Sequence, residues 1–317
     1  MKKTAILLFL VAAFSGAFTQ EIKPDTVKVG IYITSIHDID FKQKEYAINL
    51  WLWMKYKNRD FNFVDNLEIP QAKSVEKAFS VVDTSGEETY LQMKLLCVMK
   101  DSWRIANFPF DHQTLRLSLE NSQFDSRYLV FAADTIGKQF DPRFALRGWS
   151  IDSCIITTGK KIYETGFGDE RLDKPRTEYG TFRVRLSITR DAGGLFWKIF
   201  LGMYIAFLIS YVCFYIHADG MDSRFGLSVG SLFAVVGNKY IIDSSLPEST
   251  SFTLVDTLHG ITLFFIFTII ACTAYSLLLV KKDQAKKAKR FDMLAAQILL
   301  FVYVMANLYF VVNAASM

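Results

Sequence analysis

Residues 182–194 read Phe182-Arg183-Val184-Arg185-Leu186-Ser187-Ile188-Thr189-Arg190-Asp191-Ala192-Gly193-Gly194, and two kinds of protein meet inside them. Up to Ile188 every second residue is apolar. A strand places successive side chains on opposite faces, so this alternation requires one packed face and one wet face. Beyond Gly194 the alternation stops, and Leu195–Ile216 is an apolar run whose single charge, Lys198, lies near one end. From there its ammonium can reach the membrane interface. A β layer therefore hands over directly to a membrane helix.

Upstream, the period of two recurs in Val27-Lys28-Val29-Gly30-Ile31 and in Thr114-Leu115-Arg116-Leu117-Ser118-Leu119-Glu120. Turn formers separate such runs at Asp65-Asn66, Ser85-Gly86, Gly168-Asp169 and Asp173-Lys174-Pro175. No long helical period intervenes, so an all-β sandwich is predicted. At the N-terminus, Lys2 and Lys3, the short apolar stretch Ile6–Phe14 and the small residues Ser15-Gly16-Ala17 have the layout of a secretory signal peptide over 1–20. Export then places the sandwich, 21–191, outside the cytoplasm. An oxidising compartment permits a Cys97–Cys154 disulfide, but spacing does not establish one.

Downstream, three more apolar stretches follow. The spans are predicted at about 195–216, 225–242, 258–280 and 293–314, within a transmembrane domain 192–317. Lys281, Lys282, Lys286, Lys287, Lys289 and Arg290 lie between the third and fourth spans, which makes that connection cytoplasmic under the positive-inside rule. The connection Asp243–Asp256 carries Asp243, Glu248 and Asp256 with no base, as an outer loop should. The whole chain, 317 residues with 51% hydrophobic and 21% charged, has room for both domains. Its net charge of +4 owes much to that one basic run, so nucleic-acid binding has little support. No metal-ligand spacing, phosphate loop or nucleophile–base constellation occurs, so neither an enzyme nor a cofactor or metal site is expected.

Several short motifs carry a resemblance. Phe108-Pro109-Phe110-Asp111, followed by Gln113, is similar to the signature turn in the Cys loop of the pentameric ligand-gated channels, the family of nicotinic receptors and their prokaryotic relatives. Animal members flank that turn with two cysteines. Asp101 and Leu115 occupy those positions here, so the chain resembles a prokaryotic-type subunit without the disulfide. Asp38-Ile39-Asp40-Phe41-Lys42 is similar to the family's first inter-strand loop, and Asn49-Leu50-Trp51-Leu52 to the strand that supplies an aromatic to its binding site. Gly148-Trp149 and Arg190 also fit, Leu246-Pro247 resembles the turn after the pore helix, and Gly202 replaces a usual proline in the first span. The resemblance runs in order through nearly the whole mature chain. It implies an immunoglobulin-like extracytoplasmic sandwich on a four-helix transmembrane bundle. It also implies a homopentamer in the plasma (inner) membrane, the second helix lining the pore and agonists binding between neighbouring sandwiches.

The second span supports that implication by its own periodicity. Asp222, Gly226, Gly230, Phe233, Gly237, Tyr240 and Ser244 step by three or four residues and share one helical face. Small residues leave room at the cytoplasmic end, while a ring of Phe233 side chains at mid-membrane would close a pore by dewetting. The same glycines also suit a Gly-x-x-x-Gly packing face. Asp222 at the inner mouth, with Asp243 as a second ring, would concentrate cations. Arg224 and Lys239 lie off the stripe. The expected protein is a ligand- or proton-gated channel for monovalent cations. An anion-selective channel of the same family and a non-conducting membrane receptor are the alternatives.

By the resemblance, agonists sit among aromatics. Trp51 is carried over by motif, and Trp103, Tyr163, Phe167 and Tyr179 are further candidates because aromatic faces attract amines. The agonist itself, proton or small molecule, stays open; His37 and His112 are the exported histidines. Asp40, Asp111, Arg190 and Pro247 match the family's positions at the membrane face of the sandwich, where the Arg190 fork is expected to hold two carboxylates.

Overall fold

The computed structural model describes residues 23–141, 146–170, 174–217 and 220–316. The expected signal peptide lies outside them. Strands β1 (Asp25–Asp40), β2 (Glu45–Tyr56), β4 (Ala72–Asp83), β5 (Thr89–Lys100) and β7 (Leu129–Ala133) form one sheet in the order β4-β5-β2-β1-β7. The two-residue β3 (Leu67–Glu68), β6 (His112–Asn121), β8 (Trp149–Tyr163) and β9 (Thr177–Arg190) form the other, ordered β3-β6-β9-β8. The predicted alternation is what packs them together. Val27, Val29, Ile31 and Ile33 of β1 face Leu115, Leu117 and Leu119 of β6 and Phe182, Val184, Leu186 and Ile188 of β9 in one buried core. Gly30 interrupts the alternation for a steric reason. The Trp53 indole lies across it, so a Cβ there would sit 2.3 Å from the ring, and the Trp53 Nε1–H donates to Asp134 at 3.0 Å.

Cys97 and Cys154 are unbridged, as are Cys213 and Cys272. Burial in the core pushes the Cys97 thiol up to about 12, so the group rests as a small apolar side chain. β4 forms an open edge. It is exposed along almost its whole length, including Val75, Phe79, Val81 and Val82.

Four helices follow. They are α1 (Ala192–Tyr211, continued by a 3₁₀ turn, Val212–Tyr215), α2 (Met221–Asp243), α3 (Leu254–Lys281) and α4 (Ala285–Ala315). All four are long and apolar enough to cross a membrane. All four start earlier than their apolar runs, and at the last two a local cause is visible. At α3, Thr253 and Asp256 make a capping box, each side chain accepting from the other's backbone N–H. At α4, the basic run is itself helical and turns Ala288 and Asp292 inward. Gly202 of α1 lets α2 approach, its Cα facing the Asn238 amide, where an added Cβ would meet Nδ2 at 3.5 Å. Asn238 in turn meets the buried His259 of α3 at 3.1 Å.

Candidate functional site

The junction between sandwich and helices is built around Arg190, the last residue of β9. Its Nε donates to Asp111 Oδ1 at 2.6 Å and its Nη2 to Oδ2 at 3.2 Å, a forked pair with both side chains nearly buried. The second carboxylate expected there is absent. Asp40 instead accepts the Gln43 N–H at 2.7 Å and so closes its own turn. An aromatic cage takes that place, with the guanidinium carbon 4.0 Å from the Trp149 ring centre, 4.6 Å from Phe41 and 5.0 Å from Phe108. Rings satisfy a delocalised cation without adding charge, so one carboxylate suffices.

The cage touches the membrane domain directly. Phe41, Ile105 and Phe108 share a buried cluster with Phe200 and Met203 of α1, Val235 and Ile242 of α2, and Leu254 of α3. The Leu254 N–H donates to Ala106 O at 2.8 Å. A shallow groove lined by Asp38–Lys42 and Ser245 brings the β1–β2 turn to the α2–α3 connection, where Leu246-Pro247 lies.

On α2 the seven residues of the stripe, Asp222 to Ser244, are all exposed in the single chain, Phe233 at 68% and Tyr240 at 75%. Added Cβ atoms on Gly226, Gly230 or Gly237 would meet nothing within 4 Å, so these glycines pack against no helix of their own subunit. Arg224, Ser228, Ser231, Val235 and Ile242 form the opposite, buried face. Asp243 does not stand as a free charge, because Lys239 Nζ lies 2.5 Å from it and 2.8 Å from Asp256.

The aromatic candidates divide. Tyr163, Phe167 and Tyr179 meet edge to face, with ring centres 5.4, 5.9 and 6.3 Å apart. Below them Glu120, 4% exposed, accepts the Tyr163 hydroxyl at 2.8 Å. Trp51 sits on the other sheet, beside Phe79 and under Lys94. Trp103 joins neither group. It packs on Phe41 and Tyr46 and donates to Asp40 O at 3.2 Å, in the junction. Glu120 escaped the sequence reading because its strand alternates, which assigns it to a wet face. Over Ser118–Asn121, however, both faces of β6 are covered.

No family model matches the chain. Among curated proteins it is 26% identical over 290 residues to a proton-gated ion channel of Gloeobacter violaceus, covering 84% of this chain and 77% of that one. It is 20% identical over 274 residues to the gamma-aminobutyric acid receptor subunit gamma-4 of Gallus gallus, covering 78% of this chain and 57% of the subunit. The gamma-3 subunit of Homo sapiens gives 20% over 281 residues, 81% of this chain and 58% of its own. The chain thus spans rather more than half the length of the two receptor subunits.

Along most of its length the chain is similar to ion-channel and receptor subunits, in line with its resemblance to the pentameric ligand-gated channels. Its relatives are channel and receptor subunits, not enzymes. Without cysteines at 101 and 115, the chain closes the segment that resembles the Cys loop by polar contacts. Arg116 pairs with Asp101 at 2.7 Å, and the Gln113 amide donates to Arg104 O at 2.8 Å while accepting the Arg104 N–H at 3.0 Å. The same Gln113 Nε2 donates to Asp111 at 2.7 Å, so the loop that replaces the disulfide also aims the Arg190 carboxylate.

Proposed function

We propose that this chain is one subunit of a homopentameric, cation-selective channel of the plasma (inner) membrane. In this reading α2 lines the pore, Phe233 forms the gate and Asp222 the inner selectivity ring. The observation that carries the reading is the α2 face itself. A polar-ended stripe of glycines and two large aromatics is left uncovered by its own subunit. Lipid would be a poor partner for Asp222 and Ser244, whereas a water-filled axis suits them. Asp243 contributes less to the outer mouth than its charge suggests, since Lys239 is shared between it and Asp256.

The agonist we assign to this channel is a small organic ammonium ion. It would sit against Tyr163, Phe167 and Tyr179 with its charge toward Glu120, while the neighbouring subunit presents Trp51. Aromatic faces and one buried carboxylate supply the two interactions such a cation needs. Arg190, with Asp111 and its three rings, then carries the movement of β9 into α1. The test is current recording from purified protein in planar bilayers under a salt gradient, with amines and pH varied separately. Amine-evoked current with a reversal potential on the cation side is expected. Current evoked by protons alone would overturn the amine assignment, and silence under every condition would favour a non-conducting receptor.

A further inference from the structure

Arg224 is a cation on the pore helix, two residues from Asp222, yet it is 2% exposed. Its Nη2 donates to Asp292 Oδ2 of α4 at 2.8 Å, and Ser276 of α3 donates to the same oxygen at 2.9 Å. Its Nε donates to Ile216 O, just before the connection into α2, at 3.0 Å, and Nη2 reaches that carbonyl as well. Asp292 is 3% exposed and lies on α4, not on the helix that carries the stripe. The carboxylate therefore holds, on the buried face of α2, a positive charge two residues from Asp222. The clasp is not saturated, since Arg224 Nη1 and Asp292 Oδ1 have no partner among the described residues. Its charge balance rests on this one ion pair.

We infer that Asp292 is a selectivity-determining residue of the channel, acting by sequestering Arg224 rather than by meeting ions. The inference rests on the cation-selective reading above. A buried guanidinium that loses its carboxylate cannot stay in an apolar wall uncompensated. Arg224 lies in the first turns of α2, so in the proposed pore the freed side chain extends toward the inner mouth and sets a positive charge beside each Asp222. The ring that gathers cations is then cancelled copy by copy. Asp292 is thus a positioning residue, and it also fixes the rotation of α2 that turns Asp222 away from the buried face.

The experiment compares reversal potentials of assembled channels under a salt gradient for wild type, Asp222→Asn, Asp292→Asn and the double variant Asp292→Asn/Arg224→Gln. Asp292→Asn should lower the cation-over-anion permeability ratio severalfold. The double variant should restore it, because no charge is left to release. Recovery on deleting a cation from the opposite side of the clasp is a result that mere loosening of the fold does not produce. If Asp222→Asn shifts the reversal potential while Asp292→Asn keeps the wild-type value, the clasp is purely structural and the inference falls. It falls equally if the double variant fails to recover. If Asp222→Asn itself changes nothing, the selectivity reading has failed first, and the two failures are told apart. Should Asp292→Asn not assemble, Arg224→Lys carries the test. It keeps the charge but loses the fork that spans Asp292 and Ile216, so cation preference should again fall, and an unchanged ratio would overturn the inference.

Discussion

Arg190 shows how much one residue can tie together. Its fork on Asp111 is nearly buried, so Arg190→Ala leaves a carboxylate without its countercharge, at a cost of about 3 kcal/mol. Thermal unfolding of the sandwich should report that loss. Adding Asp111→Asn should recover part of it, since no charge then remains stranded. Agonist-evoked current should vanish in Arg190→Ala even where assembly survives. Glu120 offers a second test at this scale. Burial holds its carboxyl above the ordinary 4.5, so the folded domain keeps a proton that the unfolded chain has lost. That contribution to stability is present at low pH and fades as pH rises through the folded value. The effect on an amine is the reverse, because binding needs the ionised form. Amine sensitivity should therefore decline as pH falls through a value above 4.5. Glu120→Gln should flatten that dependence and weaken sensitivity about tenfold. Sequence periodicity found neither Glu120's burial nor the aromatic cage. A period reports which face a residue takes, whereas Phe41, Phe108 and Trp149 come from three distant segments and meet only after the sheets close.

At the scale of elements, α2 was the most legible part of the chain. Stepping by three or four residues from Asp222 to Ser244 identified a face that the structure leaves exposed along its whole length. The same stepping put Arg224 off that face but could not name Asp292, because the basic run before Met293 hides the true start of α4 at Ala285. Two substitutions probe the stripe. Phe233→Ser removes the large apolar ring between small residues, so channels should conduct without stimulus. Resting current in bilayers measures this, and a silent variant would move the constriction to Tyr240. Asp222→Asn nearly preserves shape and removes charge, so gating should survive while the reversal potential moves toward zero.

The whole molecule is legible as two textures joined at Gly193-Gly194, yet its assembly can only be read from what one subunit leaves uncovered. Native mass measurement of the detergent-solubilised protein should return five copies. A stable monomer or dimer would remove the pore. The open edge at β4 bears on what happens before the ring closes. Lys73, Glu76 and Lys77 guard its first half with charge, but Phe79-Ser80-Val81-Val82 carries none. Such an edge offers unpaired backbone groups and apolar side chains to any other extended segment. A subunit made without neighbours is then a seed for aggregates rather than a reserve of parts. Phe79→Lys should keep isolated subunits dispersed, at the expense of ring yield. If five copies form the ring proposed above, production should be limited less by folding of each copy than by how soon five of them find one another.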